Sequence, residues 1–137
     1  MSFMFSGCSS LKELNLNDFN TNNVTNMSAL FSGCSSLKEL RLNNFNTNIV
    51  IDMSHMFNGC TSIKELILKN FSTNNVTNTS GMFYDCSSLQ ELNLNNFNTN
   101  KVINMKSMFS KLSDELKLKI KSKFKKFIED AFEEAEV

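Results

Sequence analysis

The chain has 137 residues, of which 41% are hydrophobic, so it can form one domain with an elongated core. Fourteen basic residues balance fourteen acidic ones, which removes the general positive charge that favours binding to nucleic acid or to an anionic membrane. No run of about 18 apolar residues exists, so membrane insertion is not expected either.

The first residues show how the chain begins. Met1–Cys8 is in register with residues 27–34, so the chain opens in the middle of a repeat. The charged start and apolar run of a signal peptide are missing, which fits a cytoplasmic protein, whereas a piece of a longer protein is expected to be secreted or at a surface. Phe3, Met4 and Phe5 are predicted to be uncovered and to self-associate, most simply as a two-fold homodimer.

A repeat of 26 residues runs through the chain. Three of its columns are Cys8, Cys34, Cys60 and Cys86; Phe5, Phe31, Phe57, Phe83 and Phe109; and Leu16, Leu42, Leu68 and Leu94. A period of this length is typical of units that cannot bury their apolar face alone and stack on their neighbours. The repeat therefore predicts a solenoid, a class of fold that favours binding over catalysis.

Two elements are predicted within each unit. Apolar residues at steps of three and four predict a short helix, and in one unit they are Val24, Met27, Leu30, Phe31, Cys34 and Leu37. Gly33 marks the expected helix end. Leu40 and Leu42 then alternate with polar residues, which predicts a strand with one buried face. In the turn that follows, a threonine column is expected to satisfy turn backbone groups and to cap the next helix: Thr21, Thr47, Thr73 and Thr99.

The segment from Cys34 to Leu42 has the Leu-x-x-Leu-x-Leu core of a leucine-rich repeat. With Met-Ser-x-Met-Phe-x-x-Cys before it and Asn-Phe-Asn-Thr-Asn-x-Val after it, residues 1–112 resemble the BspA-type leucine-rich repeats of bacterial surface proteins and mycoplasma surface lipoproteins. The resemblance implies an α/β solenoid with a parallel sheet on its concave face, and a role in adhesion or protein binding. Thr79 departs from the column that contains Met27, Met53 and Met105, and Leu112 departs from the cysteine column.

Residues 113–137 form a second region, predicted to be one amphipathic helix. Ser113 followed by Asp114 and Glu115 indicates a helix N-cap with an acidic first turn. The predicted apolar stripe is Leu116, Ile120, Phe124, Phe127, Ile128, Ala131, Phe132 and Ala135. Lysines precede the acidic residues, which opposes the helix dipole, so packing must hold the helix. We expect it to cap the last unit, and the acidic half disfavours the alternative of a membrane-surface segment.

No catalytic site, metal site or cofactor is expected, and the protein is not predicted to be an enzyme. The cysteines lie 26 residues apart without a Cys-x-x-Cys motif, which is far from zinc-ligand spacing. Buried free thiols are favoured over disulfides. The one histidine, His55, shares a column with Ala29, Gly81 and Ser107, so a surface position is expected for it.

The exposed face of the predicted strands carries the candidate ligand site. Its first column is Glu13, Glu39, Glu65 and Glu91, and the column beside it is Asn15, Arg41, Ile67 and Asn93. A solvated glutamate ladder, offset by neighbouring lysines, is favoured over a site for a cation or basic ligand. The second column varies although the buried columns hardly do. Specificity for a protein or glycan ligand is therefore expected there, and self-assembly through the uncapped first unit is the alternative function.

Overall fold

The computed structural model describes residues 1–134. Its regular elements are the strands β1 (Glu65–Leu66) and β2 (Glu91–Leu92), the helix α1 (Asp114–Lys123) and a 3-10 helix (Glu129–Ala131). β1 and β2 pair in parallel. The rest of the described chain consists largely of turns. None of the helices in residues 1–134 is long and apolar enough to cross a membrane.

We number the 26-residue units by the bridges that join them. Asn26, Asp52, Asn78 and Asn104 form successive parallel bridges, so units 1 to 4 are residues 1–25, 26–51, 52–77 and 78–103, and residues 104–112 form a last partial turn. Alternate amides of unit 2 donate to carbonyls of unit 3: Met27 to Asp52, Ala29 to Ser54, Phe31 to Met56 and Gly33 to Asn58, at 2.7 to 2.9 Å. The same ladder joins units 1 and 2 and units 3 and 4. In this ladder each unit has its donors on one side and its acceptors on the other.

The short helix predicted in each unit is absent from residues 1–134, and the prediction was wrong. Ala29 and Gly33 have φ angles of 52° and 76°, and left-handed residues cannot continue a right-handed helix. The segment is instead a series of turns, in which the amide of Leu30 donates to Met27 and that of Cys34 donates to Phe31. These turns produce the same spacing of three and four between apolar residues that a helix would.

A stack of phenylalanine rings runs through the core. Phe31, Phe57 and Phe83 are fully buried, and the centroids of successive rings are 5.8 and 5.7 Å apart with nearly parallel planes. The stack extends to Phe5 at one end and to Phe109 at the other, with spacings of 5.8 and 6.0 Å. Rings at this spacing fill the space between units and fix their register.

The predicted alternation of the strand segment is confirmed by burial. Leu40 and Leu42 are 6% and 2% exposed, while the residues between and beside them face solvent. Only units 3 and 4 pair here as strands, with Glu65 opposite Glu91. The predicted inward register of the leucines is therefore present, and regular strand pairing is limited to β1 and β2 within the described residues.

Buried threonines join one unit to the next. Thr47 Oγ1 donates to the carbonyl of Ser72 at 2.9 Å and accepts from the amide of Ser72 at 2.8 Å. Thr21 and Thr73 make the same pair of bonds to the backbone of Asn46 and Asn98, each in the following unit. The predicted satisfaction of backbone groups is confirmed, but these groups belong to the following unit rather than to a capped helix.

The C-terminal region contains a shorter helix than predicted. Ser113 Oγ accepts from the amide of Leu116 at 3.2 Å, which confirms the N-cap. α1 ends at Lys123, because Phe124 is extended, with φ −121° and ψ 98°. The prediction of one helix to residue 137 was therefore wrong, although Ala135 lies outside the described residues. The charge order within α1 also favours its dipole, since its acidic residues start the helix and Lys121 and Lys123 end it.

After α1 the chain turns back onto the last partial turn. The rings of Phe127 and Phe132 lie 5.0 and 5.2 Å from that of Phe109. Lys126 Nζ donates to the carbonyls of Leu94, at 3.0 Å, and of Phe97. The burial of this ammonium lowers the pKa of Lys126.

The two carbonyls that Lys126 contacts in unit 4 have counterparts in unit 1 that also accept from a side chain. In unit 1 the equivalent carbonyls of Leu16 and Phe19 accept from the side-chain amide of Asn44 in unit 2. Lys126 therefore takes the role for unit 4 that an asparagine of the following unit takes for unit 1. The C-terminal region thus reproduces part of a unit interface with a different sequence.

Candidate functional site: the glutamate face

All eight residues of the predicted ligand face lie at the surface of the structure. They form what we call the glutamate face: Glu13, Asn15, Glu39, Arg41, Glu65, Ile67, Glu91 and Asn93. The leucines between them point inward, so the face is fixed by the burial of Leu40, Leu66 and their counterparts. The side chains of this face are therefore available to a ligand while the core positions them. The prediction that this face is concave stays a prediction.

Open grooves separate the strand segments of the face. One of them, of about 610 Å³, lies between the segments 38–43 and 64–67 and is lined by Glu39, Arg41 and Ile67 among others. A groove of about 400 Å³ lies towards unit 1, and one of about 430 Å³ lies between units 3 and 4. The face is therefore ridged, and each groove is bordered by side chains from two neighbouring units.

The charges on the face are exposed, and its four glutamates are partly offset by Arg41 and by neighbouring lysines. Glu39 pairs with Arg41 at 2.8 Å, but the two side chains are 70% and 76% exposed, so the pair contributes little to stability. Lys38 and Lys64 line the groove of about 610 Å³ beside Glu39 and Glu65. Within residues 1–134 no group of three or more His, Cys, Asp or Glu residues could hold a metal ion. This arrangement favours the solvated ladder over a cation site.

The two asparagines of the varying column have a structural role that the sequence interpretation missed. The side-chain oxygen of Asn15 accepts from the amide of Asn17 at 3.0 Å, and that of Asn93 accepts from the amide of Asn95 at 2.9 Å. The Asn-x-Asn spacing is the signal, since an asparagine that accepts from the amide two residues later stabilises a turn. Arg41 and Ile67, which is 54% exposed, are the members of the column that most clearly serve no packing role.

The helix α1 adds a groove to the end of the face. This groove, of about 360 Å³, is lined by residues 90–93 on one side and by Leu116, Lys119, Ile120, Lys123 and Phe124 on the other. The sequence interpretation treated α1 only as a cap and did not place it beside the ligand face. Two lysines of α1 therefore extend the charged surface beyond unit 4.

The cysteines are free, as predicted. The thiols of Cys34, Cys60 and Cys86 each donate to a phenylalanine carbonyl of the preceding unit, at 3.1 to 3.2 Å. Burial, with a smaller effect from the neighbouring thiol, raises the pKa of Cys34 to about 11 and that of Cys60 to about 12. These thiols are therefore protonated and unreactive at neutral pH.

His55 is exposed, as predicted, and belongs to a column with an unexpected backbone conformation. Its φ angle is 56°, and Ala29, Gly81 and Ser107 also have positive φ angles. A Cβ atom at Gly81 would overlap Nδ1 of His55, so the imidazole occupies the space that a side chain in the next unit would need. Nδ1 also lies 3.0 Å from the side-chain nitrogen of Asn58.

The residues predicted for self-association lie at the open face of unit 1. Phe3 and Met4 are 63% and 51% exposed. Phe5 is half-buried, because its ring stacks on that of Phe31. The structure thus places two of the three fully at the surface and ties the third into the core stack.

Comparison with known proteins gives one family. The sequence model of the family described as Mycoplasma protein of unknown function, DUF285, matches residues 1–123. Because the match covers most of the chain, the chain belongs to this family. No curated protein and no solved structure matches the chain.

Proposed function

We propose that this member of the DUF285 family is a non-enzymatic recognition module, of the adhesion type, that binds a protein or glycan through the glutamate face. In this proposal the stacked units form a leucine-rich-repeat solenoid of the BspA type, at a cell surface or secreted as part of a longer protein. The resemblance of residues 1–112 to that repeat class supports both parts of the proposal.

The observation that carries the proposal is the contrast between two sets of columns. The core columns are nearly identical from unit to unit and buried, as in Phe31 and Phe57. The exposed column that contains Arg41 and Ile67 changes its chemistry from unit to unit beside open grooves. A surface whose residues vary while its scaffold does not is suited to recognition, because side chains can change there without loss of packing.

Binding screens with two probe sets test this proposal. The purified chain is applied to a glycan array and to a displayed peptide library, and each hit is measured again with the double variant Arg41→Ala, Ile67→Ser. We expect the double variant to lose at least about tenfold in affinity, the loss expected when interface contacts worth about 1.4 kcal/mol are removed.

The matched control is Ile103→Ser, which replaces an isoleucine that is 88% exposed and lies outside the glutamate face. It should bind as the wild type does. Equal binding by the double variant and the wild type for every hit would exclude the glutamate face as the ligand site.

Self-assembly through unit 1 is a second candidate function. It is favoured by the exposure of Phe3 and Met4, whose counterparts in unit 2, Ala29 and Leu30, are 5% and 0% exposed. Apolar side chains that are buried in one unit and exposed in another indicate a missing neighbour.

A further inference from the structure

The open face of unit 1 is a row of hydrogen-bond acceptors. In unit 2 the carbonyls that accept from unit 1 belong to Ser28, Leu30 and Ser32. Ser2, Met4 and Ser6 occupy the same positions in unit 1, and no backbone amide of residues 1–134 donates to their carbonyls. The row therefore lacks the donors that its counterpart has in unit 2.

The open face also has the shape of an internal interface. A Cβ atom placed on Gly33 would lie 3.4 Å from the backbone of Gly7 in the preceding unit, whereas one placed on Gly7 meets nothing within 4 Å. Met4 is 51% exposed, although Leu30 at the same position of unit 2 is fully buried. The open face of unit 1 therefore has room for one further unit to pack against it.

The opposite end of the row of units is a row of donors that is already covered. The amides of Ser107 and Phe109 donate to the carbonyls of Asp130 and Ala131. The segment 127–132 also places two rings against Phe109. This segment therefore lies where the acceptor row of a following unit would lie, and it supplies acceptors of its own.

We propose that segment 127–132 is a stop that keeps the chain monomeric, and that once it is moved away a second copy of this chain sets its unit 1 on the last partial turn of the first copy. The arrangement is head-to-tail, because donors at Ser107 and Phe109 match the acceptors at Ser2 and Met4. A two-fold pairing of the open faces would instead bring the carbonyl rows together without donors. This inference rests on the second candidate function and is independent of ligand binding by the glutamate face.

The first experiment releases the stop in the full chain. Phe132→Asp puts a charge into a buried contact with Phe109, and Ile128→Asp is the matched control, because Ile128 lies in the same segment but is 55% exposed. By sedimentation velocity we expect the wild type and Ile128→Asp to stay monomeric. Phe132→Asp should form a series of oligomers that grows with concentration. Phe127→Asp, which removes the other ring, should behave in the same way.

The second experiment tests the direction of stacking. The double variant Met4→Asp, Phe132→Asp has a free donor end and a blocked acceptor end, so it should be monomeric alone. Mixed with wild type, whose donor end is covered, it should give a one-to-one dimer and nothing larger. Amide hydrogen exchange at Ser107 and Phe109 should be fast in the double variant alone and slow again in the mixture.

Two results would overturn the inference, and they differ in meaning. Wild type that dimerises alone, loses this on Met4→Asp and does not grow beyond a dimer when Phe132→Asp releases the stop would support self-assembly but make it two-fold rather than head-to-tail. Fast exchange at Ser107 and Phe109 in every Phe132→Asp and Phe127→Asp sample, with no association in any mixture, would exclude stacking of copies altogether. Neither result bears on ligand binding by the glutamate face.

Discussion

Replacing Thr47 by valine should measure how strongly one unit is joined to the next. Thr47 is 1% exposed, and its hydroxyl makes two hydrogen bonds to the backbone of Ser72 in the following unit. Valine keeps the shape of the side chain but removes both bonds. Each such bond contributes about 0.5–1.5 kcal/mol net, so we expect the free energy of unfolding to fall by about 1–3 kcal/mol.

The free energy of unfolding is measured by urea denaturation, and its slope against urea concentration should be the same in the variant and the wild type. Thr99→Val is the matched control. Thr99 belongs to the same column, but it is only half-buried and makes no side-chain hydrogen bond within residues 1–134. Its replacement should change the free energy of unfolding by less than about 0.5 kcal/mol. Equal losses at Thr47 and Thr99 would refute the reasoning, because the loss would then arise within the turn itself.

Leu40→Ala and Leu66→Ala should each lower the free energy of unfolding by about 2–5 kcal/mol in chemical denaturation, since both leucines are buried in the middle of the stack, and losses below about 1 kcal/mol at both would contradict their inward register. A thiol reagent at neutral pH should count four thiols in the unfolded chain, whereas in the folded chain the half-buried Cys8 should react first and a buried thiol that reacts equally fast would contradict the burial. Burial raises the pKa of Cys60 from 9.0 to about 12, so the stability that its neutral thiol provides is complete below pH 9 and is lost between pH 9 and about 12; denaturation across this range should show a smaller decline for Cys60→Ala. Ser113→Ala should cost about 1 kcal/mol through loss of the N-cap, and an unchanged unfolding midpoint would show that α1 does not need it.

The burial of each column could be predicted from the sequence, whereas the backbone that produces it could not. The spacing of Met27, Leu30 and Phe31 is shared by a helix and by successive turns, so periodicity alone could not separate them. The deciding feature is the left-handed backbone at Ala29 and Ser107, which are not residue types that indicate positive φ. Only the glycine column signalled a left-handed position, and it was interpreted as a helix end.

The candidate site was predictable in position but not in the roles of its members. Exposure of Arg41 and Ile67 follows from the alternation of the strand segment. The sequence contains many asparagines and does not show which of them accept from the amide two residues later. The turn bonds of Asn15 and Asn93 could therefore not be predicted. The groove beside α1 depends on where the helix ends, which is set by the contacts of Phe127 and Lys126 rather than by local sequence.

The uniform stacking of the phenylalanine rings has a consequence for the gene that encodes them. Successive junctions are built from the same contacts, with rings 5.7 to 6.0 Å apart from Phe5 to Phe109. Duplication or loss of one whole unit therefore creates no new kind of contact and leaves both ends as they were. An insertion of any other length keeps the later columns aligned only if it loops out of the stack. Recombination between the similar repeats can thus lengthen or shorten the protein in whole units, and change the order of residues such as Arg41 and Ile67, while each product keeps its core.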